Sequence, residues 1–103
     1  MNHKINSYIG FSVKKKSVVY GIDMIEKRMN NIYLIVYSEN LSDNSLKKLK
    51  KLCADNNIPL LLVEYLEELL KKNCKVLAIT DKNLSVAIQE EFYNCGGNTI
   101  NAN

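Results

Sequence analysis

The side chains best suited to binding are cationic. Lys14, Lys15 and Lys16 stand in a row with no acidic neighbour, immediately before the short apolar run Ser17-Val18-Val19-Tyr20. Three adjacent ammonium groups in a loop are suited to phosphate. A second cluster, Lys47, Lys48, Lys50 and Lys51, falls opposite a leucine stripe, as the solvated side of an amphipathic helix does. Tyr8, Tyr20, Tyr33, Tyr37, Tyr65 and Tyr93 could stack on bases, but most occupy apolar-periodic positions expected at the core or its edge.

Catalysis finds little to work with. The only histidine is His3, beside the terminus, and the four glycines form neither GxxxxGK[ST] nor GxGxxG. Glu67/Glu68 and Glu90/Glu91 are adjacent pairs on helix surfaces, pointing in different directions. Cys53, Cys74 and Cys95 are odd in number and widely spaced, so they read as free thiols, without a disulfide framework or a CxxC metal pair. We therefore expect no enzyme, no cofactor, no metal and no small-molecule substrate.

With 103 residues, 47% hydrophobic and 24% charged, the chain fits one globular domain over residues 1–93 and a flexible tail over 94–103. Its apolar runs are short and its first residues lack a signal-like stretch, giving the expectation of a cytoplasmic protein that does not enter a membrane. Net charge is only +3, but residues 1–30 carry Lys4, Lys14, Lys15, Lys16, Lys27 and Arg28 against Asp23 and Glu26. An anionic partner would meet that third. Lysine supplies thirteen of the fourteen basic residues and asparagine is abundant, a bias that weakens lysine content as evidence by itself.

Periodicity orders the elements that must position these groups. Ile5, Tyr8 and Ile9 predict a helix over 2–11, ended near Gly10, and Ser17–Tyr20 predicts a short strand. Gly21 permits a turn into a helix that Asp23 and Glu26, at capping-box spacing, would open. Ile32–Tyr37 reads as the central strand, covered on both faces. Ser42 caps a helix with Leu46, Leu49, Leu52 and Cys53 inside, which Asn56-Asn57 stops. Leu60–Val63 is a strand, and 64–72 a helix with Glu67/Lys71 and Glu68/Lys72 as i,i+4 pairs. Val76–Ile79 is the fourth strand, and Thr80 or Asp81 caps a last helix presenting Leu84, Ala87, Ile88 and Phe92. The alternation predicts an α/β fold, a three-layer α/β/α sandwich with a mostly parallel four-stranded sheet.

Four segments, in this order and at these separations, resemble a known family: Lys16-Ser17-Val18-Val19-Tyr20-Gly21 opening into a helix with Lys27; Val36-Tyr37-Ser38-Glu39-Asn40-Leu41-Ser42; Leu52-Cys53 followed by Asn57-Ile58-Pro59; and Val76-Leu77-Ala78-Ile79-Thr80-Asp81. Over residues 5–92 the chain resembles the L-seven-Ae/L-thirty-e superfamily of ribosomal and kink-turn RNA-binding proteins, in its small bacterial YlxQ-like branch. The resemblance implies that structured RNA, ribosomal or kink-turn-like, binds at one end of the sheet. It implies Lys14, Lys15 and Lys16 before the first strand, Gly21, Asp23 and Lys27 at the second helix, and Lys75 before the last strand as the RNA-binding residues, with the helix start facing phosphate. RNA-binding members carry Asn-Glu where this chain has Asp23-Met24, which keeps an acceptor and loses the second hydrogen-bonding group. General RNA affinity is thus expected ahead of exact kink-turn reading. The alternative is an interaction or assembly module on the same fold that has lost specific RNA binding.

Overall fold

Element lengths decide how this sheet is wired. In the computed structural model, which describes residues 3–94, the chain runs α1 (His3–Lys14), β1 (Val18–Tyr20), α2 (Ile22–Lys27), a 3-10 turn (Met29–Asn31), β2 (Leu34–Tyr37), α3 (Asp43–Asn56), β3 (Leu60–Leu62), α4 (Leu66–Leu70), β4 (Val76–Ile79) and α5 (Lys82–Phe92). The strands lie in the order β1-β4-β2-β3. β2 and β3 are parallel, joined across α3, while β4 is antiparallel to both of its neighbours, β1 and β2.

The sheet is therefore mixed, and the expectation of a mostly parallel one is corrected. The cause lies in α4. Five helical residues rise only about 7 Å, whereas a four-residue strand spans about 13 Å, so α4 cannot carry the chain back along the sheet. The chain re-enters at the end where β3 finished, and β4 must run the other way. The helix expected over 64–72 is clipped on both sides by left-handed residues, Tyr65 (φ 60°) and Lys71 (φ 57°). Its expected ion pairs are replaced as well: Glu67 is engaged by Ser38 and Asn40, and the Lys72 ammonium sits 3.7 Å from the centroid of the Tyr20 ring.

The three layers are as expected. Leu34 and Val36 of β2, with Leu77 and Ile79 of β4, face Ile5 and Ile9 of α1, Leu66 of α4 and Ile88 of α5. Ile35, Val76 and Ala78 face the other way, onto Ile25 of α2 and Leu49 and Cys53 of α3. This period of two on strands buried on both faces is why Ile32–Tyr37 reads as continuously apolar, although β4 shares the interior of the sheet with β2.

Helix ends follow local chemistry. Ser42 accepts a hydrogen bond from the Ser45 N–H at 3.2 Å and Asp81 from the Leu84 N–H at 2.9 Å, so both act as N-caps. α1 runs through Gly10 to Lys14 and closes with Lys16 in the left-handed region (φ 59°), the Ser17 N–H reaching the Ser12 carbonyl and the Lys16 N–H that of Val13. This is the Schellman closure, with lysine where glycine is favoured. Asn57 (φ 55°) closes α3 in the same way.

Burial of Cys53 pushes its thiol up to about 11. At pH 8, iodoacetamide should label Cys53 far more slowly than half-buried Cys74, read by mass spectrometry of the native protein. Equal rates would mean that α3 turns another face to the sheet. Of the tail expected over 94–103, residues 95–103, Cys95 included, lie outside the described residues. Among the described residues no helix is long and apolar enough to cross a membrane.

Candidate functional site

β1, β2 and β3 all end at one edge of the molecule, where β4 begins, and the loops there are tied together. The Gly21 N–H donates to the Val76 carbonyl at 3.3 Å and the Ser38 N–H to the Lys75 carbonyl at 2.8 Å. An open cleft of about 620 Å³ lies between them, lined by Tyr20, Gly21, Asp23, Lys48, Asn73 and Lys75 among others. With Lys72 on the Tyr20 ring, cations enter from α3 and from the loop before β4.

The sequence-predicted residues divide between the two ends of the sheet. Gly21, Asp23 and Lys75 share this cleft. Lys14, Lys15 and Lys16 do not: Val18 pairs with Ile79 and Tyr20 with Leu77, so the residues before β1 lie beside the end of β4, about 15 Å from Gly21 along the strand. Lys15 there forms an ion pair with Asp81, whose carboxyl is held below its ordinary value first by that lysine and then by the Leu84 N–H. Lys14 is the last residue of α1, so only Lys15 and Lys16 stand in the turn. Lys27 is exposed at the far end of α2. The expected convergence of all seven residues on one end is corrected: β1 itself holds Lys14, Lys15 and Lys16 at one end and Gly21 at the other, and its antiparallel pairing with β4 puts Lys75 beside Gly21.

The start of α2 also differs from expectation. Gly21 is the N-cap, without a side-chain bond, and Asp23 sits in the first turn instead of capping it. The Asp23 carboxylate is 3.9 Å from the Lys48 ammonium, which is 3.5 Å from Glu26. An exposed carboxylate already in reach of a cation does not make this short helix a phosphate cradle. Met24 is 40% exposed beside it, with no polar atom to read a base.

Gly21 carries φ 84° and ψ 148°, a region that side-chain-bearing residues avoid, and a Cβ there would meet nothing within 4 Å. Gly21→Ala should thus lower stability by about 1–3 kcal/mol through backbone strain alone. Gly10, in α1 with equal space, gives the contrast: Gly10→Ala should raise stability by about 0.5–1 kcal/mol. Urea unfolding of both variants checks the opposite signs.

Two features escaped the sequence reading. Buried Ser38 donates its hydroxyl to Glu67 Oε1 at 2.5 Å, and the Asn40 amide donates to Oε2 at 3.1 Å, holding the Glu67 carboxyl below its ordinary value, chiefly through Ser38. Glu39 Oε1 accepts the Tyr65 N–H at 3.1 Å. These bonds clamp the β2–α3 loop onto α4 beside the cleft. Lys48 is the second feature: its cluster reads as the solvated back of a helix, and the structure places it at the helix flank, lining the cleft. Its signal was its spacing, one residue before Leu49 and four before Leu52, on the edge of the stripe. Among the described residues no group of three or more His, Cys, Asp or Glu is placed to hold a metal ion.

A mixed four-stranded sheet between two helical layers, with a glycine turn and a lysine-bearing loop at one end, defines a class of small α/β/α proteins. Residues 3–96 match the family described as Ribosomal protein L7Ae/L30e/S12e/Gadd45, and the chain belongs to that family. Its fold is similar to a Bacillus halodurans protein of unknown function, with TM-score 0.79 and 20% identity over 87% of this chain and 97% of that one. It is also similar to the Giardia lamblia 15.5kD RNA binding protein, with TM-score 0.70 and 13% identity over 85% of this chain and 87% of that one. No curated protein matches the sequence.

Proposed function

We propose that this chain is a non-catalytic RNA-binding protein, cytoplasmic and ribosome-associated in the manner of the YlxQ-like branch, that grips structured RNA at the Gly21 end of its sheet. The observation that carries this reading is the cleft in which Lys48, Lys75 and Asn73 meet the Gly21 turn, in a member of a ribosomal-protein family. The similarity to an RNA-binding protein of the same fold supports it. Lys75 and Lys72 supply phosphate contacts, Asn73 a hydrogen-bonding amide, and the Glu39–Glu67 clamp a rigid wall against which a bent RNA can be recognised by shape.

Asp23-Met24 removes base-reading groups from the helix start, so affinity rests on the backbone. A kink-turn RNA and an unrelated duplex of equal length should therefore bind within about threefold of each other, since phosphate contacts carry no sequence information. Titration by fluorescence anisotropy tests this. A preference above about tenfold for the kink-turn would show that base reading survives, and binding of neither RNA at low salt would overturn the RNA reading in favour of an interaction module.

A further inference from the structure

The opposite end of the sheet holds a second cleft, of about 340 Å³, lined by Lys16, Val18, Arg28, Asn31, Tyr33 and Thr80 among others. We propose that it is a second RNA contact, in which Lys16 and Arg28 hold a phosphate of a single strand and Tyr33 stacks on the adjoining base. This rests on the RNA-binding reading above and extends it to a face about 15 Å away along β1.

Charge is the first argument. Neither Lys16 nor Arg28 has an ion-pair partner among the described residues, and Asp81, the acid at this end, is taken by Lys15. Lys14 and Lys82 flank the same end in sequence. The first cleft, by contrast, contains Asp23. Of the two ends, this one attracts anions with less internal compensation.

Shape and chemistry narrow the anion to a nucleotide strand. Tyr33 is 44% exposed, yet its backbone is pinned: its N–H donates to the Ile79 carbonyl at 2.9 Å, and Ile32 before it is buried. An open aromatic ring on a pinned backbone, beside two unpaired cations, an amide and a hydroxyl, offers stacking, phosphate neutralisation and base-edge hydrogen bonding together. A bare anion would use only the cations.

Lys16 supplies the third argument. It occupies the left-handed closing position of α1, where glycine is the less strained residue, so its side chain is present at a cost to the fold. Stability and binding should consequently move in opposite directions on mutation. Lys16→Gly should raise the thermal midpoint by about 4 °C while weakening RNA binding.

The test uses the full chain, hexauridylate as the single-stranded probe and the kink-turn RNA as the structured one. Lys16→Gly and Arg28→Gln should each lower hexauridylate affinity several-fold and reduce the salt slope by roughly one. Tyr33→Ala should cost about five- to a hundredfold, with most of it restored by Tyr33→Phe, which keeps the ring. If all three variants bind both probes as the unmodified protein does, the second contact is overturned while the RNA reading stands. Uridine monophosphate competing as well as hexauridylate would overturn the strand assignment and leave a free-nucleotide site. If the unmodified protein binds neither probe, the functional reading and this proposal fall together.

Discussion

Leu77→Ala should destabilise the protein by about 2–5 kcal/mol, a large part of the ~5–15 kcal/mol that holds a domain of this size folded. Leu77 is fully buried at the middle of the sheet, with Tyr20 in register on one side and Val36 on the other, and it faces the layer of α1, α4 and α5. Paired strands on both sides leave the backbone little freedom to collapse into the cavity, which places the cost in the upper part of that range. Leu62, on edge strand β3 and 41% exposed, is the comparison, and its alanine variant should lose less than about 1 kcal/mol. Urea denaturation with a shared slope decides between them. A loss at Leu77 below that at Leu62 would place β4 at an edge and invalidate the strand order.

RNA affinity should fall by about ten- to a hundredfold between 50 and 200 mM salt, the amount expected when roughly three or four cationic side chains release counterions from phosphate. The number follows from the cations at the two ends: Lys75 in one cleft with Lys72 on the Tyr20 ring that lines it, and Lys16 and Arg28 in the other. Lys15 is engaged with Asp81 and Lys48 lies near Asp23 and Glu26, so neither should contribute a full unit to the slope. Lys72→Gln with Lys75→Gln should lower the slope by about two. A flat salt response would mean that the RNA is held without phosphate contacts.

Much of the fold was legible because its signals are local. Ser42 and Asp81 cap the helices they precede, Asn57 stops α3, and Ile32–Tyr37 runs through the sheet interior. What misled was glycine. Gly10 resembles a stop but is carried inside α1, while the actual closures use Lys16, Asn57 and Lys71, of which only the asparagine is a conventional left-handed residue. The left-handed residues at both ends of α4, Tyr65 and Lys71, shorten it, whereas a helix over 64–72 would have delivered a parallel β4; the two ends of one helix thus decide the direction of a strand. That reversal also explains the site. The residues before and after β1 stand close in sequence, but an extended segment separates them by its whole length, and only pairing with β4 reveals which loops each end meets. The Ser38–Glu67 hydrogen bond depends on packing between elements distant in sequence, to which periodicity is blind.

The placement of β4 has a consequence for how the chain reaches this state. β1 and β2 do not pair with each other; each pairs with β4, which comes last of the four strands. During synthesis, β2, α3 and β3 can assemble as a local unit, but until Val76–Ile79 emerges two strands keep open hydrogen-bonding edges over apolar faces. The final strand closes both gaps at once, making late insertion into the middle of the sheet the step that converts a sticky nascent chain into a finished one.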